Sequence, residues 1–367
     1  MNLDENIRNG KTYIIAEMSA NHAGSFERAK NIIHAAKDAG ADCIKIQTYT
    51  ADTLTIDCDN KYFHIDNGTW KGDTLYNLYK KAYTPWEWQE ELKEEADKVG
   101  IDFLSTPFDN TSVDFLEKIG IEFYKIASFE LVDIPLIEYI ASKGKPIIMS
   151  TGMGTLGEIE EAVNAIKKYG NNQIYLLKCS SAYPAISENM NLNTMVNMKQ
   201  TFGVPVGLSD HSMGSIGAVT AVAMGASIIE KHFCISREIE NPDSTFSMEK
   251  DEFKKMVDDI RNVEKAKGII KYGPNDEEKK NIKFRRSIFV IKDINKGEKF
   301  NEENTKIIRP AYGMHPRYYE EVLSKKADID LKAGTPLKWS MIRWEEAGKV
   351  KEYLKEADEN DLLILYE

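Results

Sequence analysis

No stretch of this chain approaches the roughly 20 consecutive apolar residues that a membrane-spanning helix needs, so none is expected. Cysteine is scarce: Cys43, Cys58, Cys179 and Cys234 are the only four in 367 residues, and no two have CxxC spacing. A disulfide framework is thereby excluded, and reduced thiols in a cytoplasmic protein are expected. Positive charge is in deficit, with 48 Lys and Arg against 59 Asp and Glu, a net charge of −11. That argues against a nucleic-acid partner and against bulk attraction to anionic lipid. The HExxH, GxSxG and CxxCH motifs are missing, and no glycine-rich dinucleotide fingerprint follows the first predicted strand. The first ten residues are polar and acidic, unlike a secretory signal. What is present suits a globular protein with a sizeable core: 42% hydrophobic and 29% charged residues. The length allows two domains, or one large domain with an appendage.

From Thr12 to Lys267 one rhythm repeats: a short apolar or β-branched run, a polar turn, then an amphipathic stretch. The predicted strands are Tyr13–Ala16, Cys43–Gln47, Phe103–Thr106, Phe123–Ile126, Pro146–Ser150, Ile174–Lys178, Val204–Ser209 and Ile228–His232. Helical periodicity marks Ser25–Ala39, Trp86–Val99, Leu156–Tyr169, Gly214–Met224 and Lys250–Lys267. Short apolar strands alternating with helices imply a parallel sheet buried on both faces. Eight such units match an α/β fold of the (β/α)8 TIM-barrel class, with an open doubly wound sheet as the competing architecture.

One connection is long. Residues Tyr49 to Tyr83 carry Tyr62, Phe63, Trp70 and several aspartates, and are expected to form a lid. After the barrel segment (1–267), residues 268–284 form a charged linker with Gly273-Pro274. Residues 285–342 show short alternating runs and turn signals, as expected of a small β-rich domain. The remaining 343–367 are an acidic tail, helix-prone to about Ala357.

Barrel enzymes carry their chemistry at the C-terminal ends of the strands. All eight predicted ends are polar: Glu17 with Ser19, Asn21 and His22; Lys45 and Gln47; Ser105 and Thr106; Lys125 with Ser128 and Glu130; Ser150 and Thr151; Lys178, Cys179, Ser180, Ser181 and Tyr183; Ser209, Asp210 and His211; Glu230, Lys231 and His232. Any one of these could be a helix cap or a surface residue. Together, Lys45, Lys125 and Lys178 supply cations, and Thr106, Ser128, Ser150, Ser181 and Ser209 supply hydroxyl donors. Such a set fits a small ligand bearing phosphate, carboxylate or both. His211 and His232 end neighbouring strands and suit a divalent metal, unless one is a structural hydrogen-bond donor. Glu17, Glu130 and Glu230 are carboxylates available for proton transfer or sugar hydroxyls. Cys179 is a strand-end thiol whose neighbours look like ligand donors.

The segments Ile15–Gly24, Ile44–Thr48, Ser105–Phe108, Tyr124–Ser128, Ser150–Met153, Gly207–His211 and Glu230–Phe233 resemble, in order, the motifs of the sialic acid synthase (NeuB-like) family. Residues 285–342, with Arg309-Pro310, resemble that family's antifreeze-like (SAF) domain. The resemblance implies a transferase that condenses phosphoenolpyruvate with the open-chain aldehyde of an N-acetylated sugar, forming a nine-carbon 2-keto acid and phosphate by C–O cleavage. It implies that Lys45, Thr106, Lys125, Ser128, Ser150, Ser181 and Ser209 hold phosphoenolpyruvate, and that His211 and His232 bind Mn2+ or Mg2+. It further implies that Glu17, Gln47, Tyr183 and Asp243 contact the sugar or order water, with Glu130 a proton-transfer group. Ser181 departs from the asparagine common in the family. A domain-swapped homodimer follows from the same resemblance, with Arg309 reaching the partner's sugar site. The net charge of +4 for 285–342 against −11 for 1–284 is compatible with such docking.

Within the family, Ser19–Gly24, Ile46–Thr50, Asp243–Ser247 and Arg309–Pro316 lean toward the pseudaminic branch. The implied sugar is 2,4-diacetamido-2,4,6-trideoxy-L-altrose, for which the aromatic lid and Tyr312 offer apolar surface. The sialic and legionaminic branches are the alternative. A metal-dependent barrel aldolase ranks lower because it would need neither this set of lysines and hydroxyls nor an antifreeze-like cap, and intact Glu17, Lys45, His211 and His232 speak against a non-catalytic carbohydrate-binding protein.

Overall fold

Eight short parallel strands close on themselves in sequence order in the computed structural model, which describes residues 3–66 and 70–344. They are β1 (Tyr13–Glu17), β2 (Cys43–Thr48), β3 (Asp102–Pro107), β4 (Tyr124–Ile126), β5 (Ile147–Ser150), β6 (Ile174–Cys179), β7 (Val206–Asp210) and β8 (Ile228–His232). The barrel closes where β1 pairs with β8, from Tyr13 opposite Ile228 to Glu17 opposite His232. An open doubly wound sheet is therefore excluded, and the TIM-barrel expectation holds.

The helices in chain order are α1 (Leu3–Arg8), α2 (Phe26–Asp38), α3 (Ala51–Leu54), α4 (Leu75–Ala82), α5 (Trp86–Val99), α6 (Asn110–Lys118), α7 (Ile134–Ala141), α8 (Leu156–Lys168), α9 (Asn193–Phe202), α10 (Ile216–Ala223) and α11 (Lys250–Lys267). Local chemistry sets several boundaries. Ser25 caps α2 by accepting from the Arg28 N–H, and Thr155 forms a reciprocal box with Glu158 at α8. The long connection after β2 is not a bare loop, since it contains α3 and α4.

Side chains alternate across each strand, and this sorts the barrel into layers. Outward residues such as Ile14, Ile44, Met149 and Leu208 pack with the helices in one apolar cluster. Inward residues at the N-terminal end of the strands, including Tyr13, Leu104, Phe123, Ile148 and Leu177, form a second cluster closed by Leu3 of α1. Toward the C-terminal ends the inward positions turn polar. Leu3 is fully buried, so L3A is expected to lower unfolding free energy by about 2–5 kcal/mol; chemical denaturation measures it.

The chain divides after Gly268. The second unit carries α12 (Asp276–Lys279) and α13 (Tyr319–Leu323), with two small antiparallel pairs: β9 (Ser287–Val290) with β10 (Thr305–Ile308), and β11 (Lys326–Ala327) with β12 (Ile342–Arg343). Its apolar cluster includes Ile288, Val290, Phe300, Leu337 and Trp339. The acidic tail expected from 343 onward lies outside the described residues from 345.

Candidate active site

Strand alternation selects which strand-end residues share the barrel interior. Glu17, Lys45 and Gln47, Thr106, Lys125, Ser150, Cys179, Ser209 and Glu230 occupy inward positions continuous with the apolar layer beneath them. Lys45 Nζ lies 2.5 Å from Glu17 Oε2, 3.3 Å from Thr106 Oγ1 and 3.9 Å from Glu230 Oε2. Lys125 Nζ donates to Ser150 Oγ at 2.7 Å and lies 3.8 Å from Glu230 Oε1. Ser209 Oγ donates to the same Glu230 oxygen at 2.9 Å. Glu230 thus serves as a shared counter-ion between two buried lysines, a role that the sequence, which offered it for proton transfer, did not reveal. Burial would raise its pKa, but Lys125, Lys45 and Ser209 outweigh burial and lower it. Glu17 is shifted the other way: burial and Glu230 raise its pKa against the pull of Lys45.

Lys178 does not join this cluster. It alternates to the other face of β6, is only partly buried, and donates to the Cys179 carbonyl at 2.8 Å. The expected third cation is therefore corrected to two.

Past the strand ends, Ser128 opens a 3-10 turn (Ser128–Val132), and its Oγ accepts the Gly152 N–H at 3.1 Å. Gly152 was not singled out from sequence, although Gly152-Met153-Gly154-Thr155-Leu156-Gly157 has the glycine spacing of phosphate-binding turns. A Cβ there would sit 2.2 Å from Ser181 Oγ and 2.7 Å from Ser128 Oγ. The missing side chain leaves two hydroxyls and an N–H around one small space. If this space takes the phosphate or carboxylate of phosphoenolpyruvate, as the family resemblance implies, G152A weakens its binding about tenfold or more, the cost of one charge-assisted hydrogen bond; equilibrium binding measured by protein fluorescence checks it.

His211 and His232 face one another with ring centroids 5.3 Å apart. The His211 Nδ1 lies 3.0 Å from the Ser180 carbonyl. A carbonyl only accepts, so Nδ1 carries a proton, and in the neutral ring Nε2 keeps the lone pair. Burial disfavours charge on His211, but Cys179, the Ser180 carbonyl and Glu230 outweigh it and raise the pKa. Burial, His211 and Lys45 hold His232 neutral, well below the usual histidine range, and its buried Nδ1 has no hydrogen-bond partner. Two imidazoles that can each present a neutral ring nitrogen on adjacent strands fit a divalent cation. No group of three or more His, Cys, Asp or Glu gathers among the described residues, so substrate and water oxygens would have to complete the coordination.

Among the residues expected to contact the sugar, Tyr183 lies against the histidines. Tyr183 stacks on His211 at 4.3 Å and packs against Phe246 at 5.3 Å and Trp70 at 5.6 Å. Trp70 Nε1 donates to the Pro242 carbonyl at 2.9 Å, tying the lid to the loop that carries Asp243. Asp243 is buried, and its Oδ2 accepts the Ala20 N–H at 3.2 Å. Gln47 Nε2 donates to Glu17 Oε1 at 2.9 Å and to Ser19 Oγ at 3.0 Å. Tyr62, expected to contribute to the aromatic lid, is 76% exposed, and Tyr49 is buried against Phe108 and Tyr79. Glu130 has an unpartnered buried Oε2, and burial, with a contribution from Asp133, pushes its carboxyl up to about 7 against Lys125. Arg309 lies exposed in the second unit, one residue past β10.

Two family profiles match this chain: the NeuB family over residues 32–272 and the SAF domain over 285–343. A pseudaminic acid synthase of Campylobacter jejuni is 48% identical over 91% of this chain and 97% of its own length. The pseudaminic acid synthase of Helicobacter pylori is 45% identical over 88% of this chain and 96% of its own length. Among solved structures, the N-acetylneuraminic acid synthetase of Leptospira borgpetersenii, in complex with citrate, superposes with a TM-score of 0.66 at 35% identity, covering 74% of this chain and 90% of that one. With its barrel matching the NeuB profile over residues 32–272 and a relative 48% identical over 97% of that relative's length, this chain belongs to the NeuB family.

Proposed function

We propose that this protein condenses phosphoenolpyruvate with 2,4-diacetamido-2,4,6-trideoxy-L-altrose to give pseudaminic acid and phosphate, in the cytoplasm and with Mn2+ or Mg2+. The observation that carries the reading is the inward layer in which Lys45 meets Thr106 and Lys125 meets Ser150, with the Ser128 hydroxyl bonded to the Gly152 N–H past the strand ends and the His211 and His232 rings 5.3 Å apart. That layer suits an anion with both a phosphate and a carboxylate next to a polarised carbonyl. Identities of 48% and 45% to relatives named for pseudaminic acid, against 35% to the neuraminic acid structure, favour the pseudaminic branch. Four free cysteines accord with a reducing compartment.

Lys45, Lys125 and the surrounding hydroxyls hold phosphoenolpyruvate with its enol carbon toward the sugar. Tyr183, Gln47 and Asp243 orient the open-chain sugar beside His211 and His232. A divalent cation on these two histidines supplies Lewis acidity to the sugar aldehyde when bound. The enol carbon forms the new C–C bond to the aldehyde carbon, whose oxygen takes up a proton. Water then adds at the former enol C2, and Glu130 accepts its proton. The C2–O bond to phosphate breaks as the new C2 hydroxyl passes its proton to the departing phosphate, leaving the keto acid and free phosphate.

The reading includes a domain-swapped homodimer. Phe129, Val132, Met153, Leu156, Met213 and Ile216 stand exposed on the connections and helix starts that follow β4, β5 and β7, an apolar rim that a partner's SAF domain would cover. The partner subunit's Arg309 would then reach the sugar. R309A is expected to raise the sugar KM about tenfold or more, with phosphoenolpyruvate binding within twofold; steady-state kinetics and equilibrium binding separate the two.

The assignment is tested by phosphate release with phosphoenolpyruvate, Mn2+ and each candidate sugar in turn. Turnover of the diacetamido-altrose is expected. Turnover only of N-acetylmannosamine or of the legionaminic precursor would move the enzyme to another branch, and no release with any sugar would defeat the synthase reading.

A further inference from the structure

Each of the two facing histidines follows a charged residue that points the opposite way. Asp210 and Lys231 alternate outward from β7 and β8, lie directly across from each other in the strand register, and are each 1% exposed. Lys231 Nζ is 2.8 Å from Asp210 Oδ2 and also donates to the Ser212 carbonyl at 2.6 Å. Asp210 Oδ1 accepts from Ser212 twice, from its N–H at 2.8 Å and its hydroxyl at 2.7 Å. The chain on both sides of His211 is therefore held by one carboxylate and one ammonium, and the His211 carbonyl accepts the Ala185 N–H at 2.9 Å. Helix α10 covers the pair at Gly217, where a Cβ would strike Met190 at 2.4 Å and approach Asp210 Oδ2 at 3.2 Å.

A buried ion pair gives little net stability, because desolvation offsets the attraction, but the hydrogen bonds of Asp210 and Lys231 constrain where the groups that make them can sit. We propose that Asp210 and Lys231 form a clasp across β7 and β8 that fixes the separation and aim of the His211 and His232 imidazoles. The inference rests on the reading of those histidines as ligands of a divalent cation. Neither clasp residue faces the barrel interior. Both are positioning residues acting through the peptide units that carry the imidazoles. Outer residues that orient metal ligands typically change metal affinity about 10–100-fold when replaced, which sets the expected effect.

The test is Mn2+ binding alone, measured on the full-length protein by electron paramagnetic resonance of free ion. D210N/K231M removes both charges together, so neither is left buried and unpaired. Wild type is expected to bind Mn2+, H211A to lose it, and the folded double variant to bind at least about tenfold more weakly. A double variant with affinity within twofold of wild type overturns the clasp, whatever its melting temperature. Absence of Mn2+ binding by wild type, or wild-type affinity in H211A, overturns the metal site itself and the clasp with it, and the H211A arm distinguishes that failure. If the double variant does not fold, S212A carries the same test: a loss of about two- to threefold is expected for one hydrogen bond, and unchanged affinity overturns the proposal.

Discussion

H211A and H232A are expected to lower kcat by about 10³-fold or more while leaving phosphoenolpyruvate affinity within twofold. The two imidazoles end adjacent strands, face one another at 5.3 Å, and stand beside the Lys45–Glu230–Lys125 layer rather than within it. On the proposed reading their loss removes polarisation of the sugar aldehyde, a contribution of several kcal/mol at the transition state, without removing the cations proposed to hold the other substrate. Phosphate release under saturating substrates reads the first effect, and equilibrium binding reads the second. Retention of near-normal turnover by either variant in metal-depleted buffer would contradict the assigned role.

E130Q is expected to lower kcat by about 10²–10⁴-fold, the usual range for a lost general base. Glu130 is suited to that task because burial lifts its carboxyl from the ordinary 4.5 to about 7, where it can exchange a proton at neutral pH. As a base it must be ionised, so wild-type kcat should rise as pH passes through about 7, and this limb should vanish in E130Q. Stability should show the matching signature. A folded pKa raised above the unfolded value favours the native state fully below pH 4.5, and that contribution is lost as pH rises through about 7. Thermal unfolding across this window should therefore decline with pH more steeply in wild type than in E130Q. A pH profile unaltered by the substitution would assign the limb to another group.

Much of this was legible in the chain itself. The strands could be read because runs such as Tyr13–Glu17 and Ile174–Cys179 are short, mostly apolar and bounded by polar turn residues. Helices Trp86–Val99 and Lys250–Lys267 match their expected bounds because a clean period ends at a glycine in each. Face was harder to read than element. Lys178 sits at a strand end like Lys125, but one step of the pleat turns it out of the barrel, while Cys179 turns in. The same parity hides Asp210 and Lys231 from the interior. Cross-strand register was not readable at all, and it is register that places Glu230 between two lysines. Short elements such as Ala51–Leu54 and the pairs of the second unit lack a sequence period long enough to detect and depend on tertiary packing.

The central claim is that carbon–carbon bond formation from phosphoenolpyruvate proceeds with cleavage of its C–O bond. The most direct test uses phosphoenolpyruvate labelled with 18O at the oxygen bridging C2 and phosphorus, with Mn2+ and 2,4-diacetamido-2,4,6-trideoxy-L-altrose. The account predicts that the released phosphate carries the label and that a nine-carbon 2-keto acid accumulates in equal amount. Unlabelled phosphate, or labelled phosphate without that acid, would contradict it.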